Sequence, residues 1–300
     1  MFSATSKIPT LPGNVRGALW VLLSAVIFTA MTALIKVVGS RIDTFEIAFF
    51  RSLFGVLVLL PLVARNGWRE TLIPKRLDFI LARGVTGSIA LITIVYALTH
   101  LPLAEVTGIS FSRALWLIVI AIFFLGERPN WQRWTATLVG FVGVWVIVWP
   151  GTGLHPAAIA AILNALFVAM SVALIKRMTS SDSPLTILFW GMLIPMLVTA
   201  PPAILVWKMP TTEELVLLGV IGVGLSAGHS CIIHGLRVGE ATAVMPFDYT
   251  RLIFAAFAGF LFFGETPSIN TVLGALLIAG AALFIARRES RTAATPEDPV

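Results

Sequence analysis

Two arginines, Arg113 and Arg251, stand 138 residues apart, each inside a long apolar run. An arginine near the centre of a lipid-embedded helix costs about 2.5–3.5 kcal/mol on insertion scales, so it normally faces protein or water. Two such residues lining one hollow would attract an anionic group such as a carboxylate or phosphate. The competing reading is structural: Asp248 lies three residues before Arg251, on the same helix face, and could pair with it. No acid lies within a turn of Arg113. Tyr249, Asp248, Trp116 and Ser112 share the same two stretches and could complete a pocket, since aromatic walls with a few polar groups suit a small-molecule site. Ordinary core packing is the alternative, above all for Trp116.

Other polar residues inside apolar runs extend the candidate set. His229, within Ser-Ala-Gly-His-Ser-Cys (226–231), could relay a proton or bond a neighbouring helix. Asn164 reads as a wall residue or as glue between helices, and Tyr96 as a further lining residue. Arg51 and Glu46 are five apart, too poorly stacked to pair, and are candidates for gating or coupling; Arg51 could also snorkel. Arg83 sits one turn inside its run, where snorkelling is the default. Glu127 and Glu265 each follow a glycine at the end of matching runs, which points to gating or packing. Gly224 and Gly228 form a small-xxx-small pair suited to close helix contact. No catalytic set, cofactor or metal site is expected.

The elements that must position these residues repeat. Phe111 to Glu127 reads FSRALWLIVIAIFFLGE and Tyr249 to Glu265 reads YTRLIFAAFAGFLFFGE. The aromatic, the hydroxyl, the arginine, Phe124/Phe262 and the Gly-Glu fall in register, and Pro129 and Pro267 keep the offset. Phe28 to Lys36 matches Phe167 to Lys176 with one insertion. Phe50 and Pro61 match Trp190 and Pro201, and Gly143 matches Gly280. A chain that repeats itself in this way is built from two copies of one unit.

Composition sets the environment. The chain is 58% hydrophobic and 12% charged, against about 25% charged in a soluble domain. Its net charge of +6 is scattered among short loops, which argues against nucleic acid. The single cysteine, Cys231, excludes an intrachain disulfide. No small-residue cleavage site follows the first apolar run, so it reads as a retained helix. Spans of about 20 apolar residues are expected for a membrane crossing. Ten can be placed, near 17–37, 44–64, 78–98, 102–124, 132–149, 155–176, 185–206, 213–235, 241–263 and 268–286. The expected fold is all-α, with ten transmembrane helices as two inverted five-helix repeats. The segments are a cytoplasmic 1–16, repeat one over 17–149, repeat two over 155–286 and a cytoplasmic tail over 287–300. A cytoplasmic N-terminus puts fourteen loop lysines and arginines inside and only Lys36, Arg41 and Lys208 outside, so both termini should be cytoplasmic. An odd number of spans per unit makes the second copy enter from the opposite side, the geometry that alternating access uses.

Leu-Pro-Leu-Ala-Glu (101–105), the Gly-Glu ending each repeated run, Pro-Phe-Asp-Tyr-Thr-Arg (246–251) and the paired five-span units resemble the EamA family of the drug/metabolite transporter superfamily. The resemblance covers about 17 to 286. Ala114 stands where such proteins often carry a proline, a departure that bears on the bend of that helix. The resemblance implies ten helices around a central cavity and secondary transport of small metabolites, often export, in a bacterial inner membrane. It does not identify the solute.

Rival classes carry less. Gly224-Leu-Ser-Ala-Gly228 spells GxSxG beside His229, but an intramembrane serine hydrolase would need a strained strand-to-helix turn there. No Gly-Lys-Ser/Thr phosphate loop occurs, which removes an ATP-driven pump. The expectation is a non-enzymatic secondary transporter exporting a small polar or anionic metabolite, an amino acid or related carboxylate. Uptake or exchange of a nucleoside-like metabolite such as S-adenosylmethionine is the alternative. The expected partners are the solute and the lipid bilayer, with a homodimer left open.

Overall fold

The computed structural model describes residues 13–125, 131–148, 155–178, 181–238 and 245–293. Among these every regular element is helical. In order they are α1 (Gly13–Val38), α2 (Thr44–Asn66), the short α3 (Trp68–Leu72), α4 (Leu77–His100), α5 (Leu103–Ser110), α6 (Arg113–Leu125) and α7 (Trp131–Val148). The second part holds α8 (Pro156–Met178), α9 (Pro184–Leu205), α10 (Thr212–Val238), a 3-10 turn at Met245–Tyr249, α11 (Thr250–Phe263) and α12 (Ile269–Ala293). Helices are the natural solution for such a composition, because a backbone in hydrocarbon must satisfy its hydrogen bonds within its own segment. Seven spans are long and apolar enough to cross a membrane, among them Leu103–Ile120, which joins α5 to α6; Trp134–Val148 and Ile269–Ala281 are shorter apolar stretches.

Local chemistry sets the ends. Asp43 accepts from the Phe45 N–H at 2.8 Å and starts α2, and Ser183 accepts from the Thr186 N–H at 3.1 Å ahead of Pro184, the first residue of α9. Pro195, Pro201 and Pro202 lie inside α9, where Thr199 returns a hydroxyl bond to the Pro195 carbonyl at 2.7 Å. Neighbouring helices and hydroxyl side chains make such prolines tolerable in a membrane.

Between helices in lipid the hydrophobic effect contributes little, so close packing and small residues must hold them together. The main packed pairs are α1 with α10, α4 with α8, α2 with α9 and α7 with α12. A Cβ on Gly143 of α7 would lie 2.7 Å from the Gly274 carbonyl oxygen of α12, so the two backbones touch. The sequence match of Gly143 with Gly280 does not mark this contact, because Gly280 faces open space. A Cβ on Gly228 would meet the Phe28 ring at 2.9 Å, which bears out a tight α1–α10 contact, while Gly224 is barely in touch with Ile27.

Candidate functional site

The two arginine-bearing stretches both break near their arginine. Phe111 and Ser112 form a tight turn between α5 and α6, with Ala114 N donating to Phe111 O (3.3 Å) and Leu115 N to Ser112 O (2.9 Å). This three-residue spacing marks a local 3-10 segment. The span expected near 102–124 therefore holds two helices, and the break forms without a proline at 114. The second stretch likewise enters through the 3-10 turn before α11. Phe111 and Tyr249 hold nearly the same backbone angles, φ −66, ψ −18 and φ −67, ψ −18. Their rings meet with centroids 4.8 Å apart.

Arg113 and Arg251 follow these two breaks, yet their surroundings differ. Arg113 Nη2 donates to Asp248 Oδ2 at 3.0 Å, across 135 residues of chain. The competing reading, an ion pair of Asp248 with Arg251, is replaced by a pair of Asp248 with Arg113. Asp248 is only 4% exposed, and its other oxygen has no hydrogen-bond partner. Arg251 has no ion pair among the described residues. Its guanidinium carbon lies 5.5 Å from the Phe28 ring centroid and 5.3 Å from that of Phe111. Such contacts with the ring quadrupole hold a cation without neutralising it. Asp248 and Arg113 are the charged groups within electrostatic reach of Arg251.

His229 stands beside them. It meets Phe28 edge-on, with centroids 5.1 Å apart, and its Nδ1 bonds the Leu225 carbonyl at 2.8 Å. A carbonyl only accepts, so Nδ1 carries the proton and Nε2 is left free in the neutral ring. The charged groups within reach of His229 are Arg51, Arg113 and Arg251. Sequence reasoning left Arg51 as a gate or a snorkelling residue; it lies on α2, its backbone carbonyl 3.2 Å from where a Cβ on Gly222 of α10 would stand. Glu46 is fully buried in the first turn of α2, and both its oxygens lack a partner. Ser112 is fully buried with an unpartnered hydroxyl, and Trp116 packs on Phe141 (4.8 Å) with its indole N–H unpartnered.

Other candidates take structural positions. Asn164 Nδ2 donates to the Ala90 carbonyl at 2.8 Å and ties α8 to α4. Tyr96 lies in the last turn of α4, its ring 4.2 Å from that of His100. The Arg83 guanidinium lies directly over Gly191 of α9, and its Nε is buried without a partner. Ser226 lies within the continuous helix α10, so the strained turn of a nucleophile elbow is absent there. Glu127 lies outside the described residues.

Sequence reasoning singled out Glu265 for gating or packing but did not find its partners. Lys36 Nζ donates to the Leu101 carbonyl at 2.6 Å and pairs with the Glu265 carboxylate. Glu265 Oε2 in turn accepts from the Leu103 N–H at 2.9 Å and so caps α5. Gly264, at φ 64, turns the chain out of α11, a conformation that suits glycine. Gly259 leaves room for the returning side chain, since a Cβ there would lie 2.8 Å from Glu265 Oε2. The Gly-Glu ending thus binds α11, α1 and the α4–α5 joint. At the same end Arg41 in the α1–α2 loop pairs with Glu214, a hydrogen bond that raises the Arg41 pKa above its ordinary value.

A family model decides the class, matching residues 15–149 and 155–287 as the EamA-like transporter family. The chain belongs to that family. It is accordingly an integral, multi-pass member of the drug/metabolite transporters and not an enzyme. An S-adenosylmethionine uptake transporter of Rickettsia felis is 34% identical to this EamA chain over 273 residues, 91% of this chain and 92% of the relative. The pseudopaline exporter CntI of Pseudomonas aeruginosa is 30% identical over 277 residues, 90% and 96% of the two chains. A riboflavin transporter of Rhizobium johnstonii is 30% identical over 286 residues, covering 93% and 94%. One solved crystal structure of a protein superposes with a TM-score of 0.62 at 17% identity, covering 92% of this chain and 99% of that one, a likeness of fold alone.

Proposed function

We propose that this chain is a secondary transporter of a small metabolite bearing an anionic group, which Arg251 receives at the junction of two inverted five-helix halves. The observation that carries the reading is the Arg251 guanidinium, an interior cation held by two aromatic faces with no carboxylate of its own. Interior charges in membrane proteins mark substrate or ion pathways, because an unmatched charge in low dielectric is costly to keep. The packing supports the inverted arrangement. Exchanging the halves turns the α1–α10 pair into α8–α4 and maps α2–α9 and α7–α12 onto themselves. In that arrangement ten spans divide as 17–149 and 155–286, and both termini face the cytoplasm of a bacterial inner membrane. Alternating access follows when the halves trade conformations.

The relatives favour a second reading, transport of S-adenosylmethionine, since the Rickettsia proteins of that name align over nearly the whole chain. Amino acids and related carboxylates are the first reading, because the site shows a free guanidinium and an aromatic wall. Thermal unfolding of the purified protein against carboxylates, amino acids and S-adenosylmethionine, repeated with Arg251→Ala, separates the two. Stabilisation by a carboxylate that survives intact in Arg251→Ala would overturn the role given to that residue.

A further inference from the structure

We propose that Glu46 holds a proton beneath the connection between α9 and α10, and that this end of the bundle closes only with that proton in place. The inference goes beyond the reading of Arg251 and stands without it. Glu46 is 0% exposed in the first turn of α2, and neither carboxyl oxygen has a hydrogen-bond partner. The backbone N–H groups of Asp43 and Lys208 approach it without reaching hydrogen-bond geometry. The chain between α9 and α10 lies across this turn. Its Trp207 packs on Phe49 and Phe50, with ring centroids 6.3 and 5.5 Å apart. These two phenylalanines follow Glu46 by three and four residues, so they share its side of α2. The same connection is tied to the α1–α2 loop. Arg41 Nη2 donates to the Met209 carbonyl at 3.1 Å, and Lys208 Nζ donates to the Arg41 carbonyl at 3.4 Å.

The ionisable groups at this end are engaged elsewhere. Arg41 pairs with Glu214 in the first turn of α10, where the neighbouring Glu213 is exposed. Asp43 accepts from the Phe45 N–H at 2.8 Å. Helix α9 carries no ionisable side chain, and His100 at this end of α4 bonds the Tyr96 carbonyl through Nδ1 at 2.9 Å. Lys36 and Glu265 hold each other. An ionised carboxylate sealed away without a partner is very costly, and such a group neutralises instead. Interior ionisable residues of membrane proteins serve as proton relays for this reason. When the connection lifts, water reaches the carboxyl, which then ionises at neutral pH like an ordinary glutamate. Closing takes one proton from water and forms one O–H bond; opening returns the proton. The closed share therefore falls as pH rises, by up to about tenfold per pH unit. A pH difference across the membrane then acts directly on the transport cycle.

Infrared difference spectra of the full-length chain in lipid nanodiscs, recorded without solute from about pH 5 to about pH 9, test this. The readout is the carbonyl stretch of a neutral carboxylic acid, which an ionised carboxylate lacks. The parent should show this band at neutral pH, and Glu46→Gln should lose it. The band should weaken as pH rises, with a midpoint at least about one pH unit lower in Trp207→Ala, where the connection is freed. Should Trp207→Ala not fold, Lys208→Ala, which removes one tie to the Arg41 carbonyl, gives the same comparison. Glu46→Gln should melt no lower than the parent, because the site already holds a neutral side chain. The inference is overturned by a parent with no acid band at neutral pH, or by a band that survives in Glu46→Gln. A midpoint that ignores the freed connection overturns it too, as does a Glu46→Gln variant that melts far lower, which would mean the closed form needs the negative charge. Sodium that stabilises the parent in place of a proton has the same consequence. None of these readings uses a solute, so each leaves the role of Arg251 untouched.

Discussion

Arg113 and Asp248 join the two halves of the chain through a 3.0 Å bond, placed where the two arginine-bearing stretches break. The carboxylate is almost wholly buried while the arginine is about a third exposed, at 35%. Removing the arginine strands the acid. Arg113→Gln should lower stability by about 3 kcal/mol, the lower end for breaking a buried pair because the arginine is partly screened. The double variant Arg113→Gln/Asp248→Asn should recover part of that loss. Thermal unfolding in detergent reads both, and a single variant as stable as the parent would show that Asp248 finds its balance elsewhere.

Arg251 should behave in the opposite way. It has no acid to strand, so Arg251→Gln should leave the melting temperature nearly unchanged without ligand. Its binding loss should be large, since a charge-assisted hydrogen bond contributes about 1.5–3 kcal/mol, or about 10- to 150-fold in affinity. Titration of the ligand that stabilises the parent most measures this directly.

The Lys36–Glu265 pair should act as a clasp at one end of the bundle, since it joins α1, α11 and the start of α5. Lys36→Met should free Glu265 and loosen that end. A reporter cysteine at Phe263, introduced after Cys231→Ser, should then react faster with a water-soluble maleimide. Equal labelling rates with and without Lys36 would mean the pair only fills space.

Gly143 should tolerate no side chain. Gly143→Val drives a branched side chain into the α12 backbone and should cost at least about 1–3 kcal/mol, the range for overpacking. Gly280→Ala, where nothing lies within reach, serves as the control and should be close to neutral. Parallel melts of the two variants check the pair.

The repeat made Arg113 and Arg251 legible, because two arginines in register inside apolar runs are visible without any structure. The partner of Asp248 was not. Spacing within one helix reveals neighbours three or four residues apart, and it offered Arg251; the real partner comes from another helix, whose rotation and depth no single run encodes. The Lys36–Glu265 clasp, separated by 229 residues, was hidden for the same reason, although both residues belong to repeated segments. The break at Phe111 and Ser112 carries no proline or glycine, so nothing local announced it. The surroundings of Arg51 depend on how α2 packs against α9 and α10, which no single run encodes.

The contact between Phe111 and Tyr249 brings corresponding positions of the two halves face to face, yet one ring bears a hydroxyl and the other does not. Beside them one arginine is neutralised and its counterpart is not. A ligand lying across this junction therefore meets two unlike walls and can sit only one way round. In the proposed cycle the halves would trade shapes but not side chains, so a cargo bound there would keep its heading from one membrane face to the other.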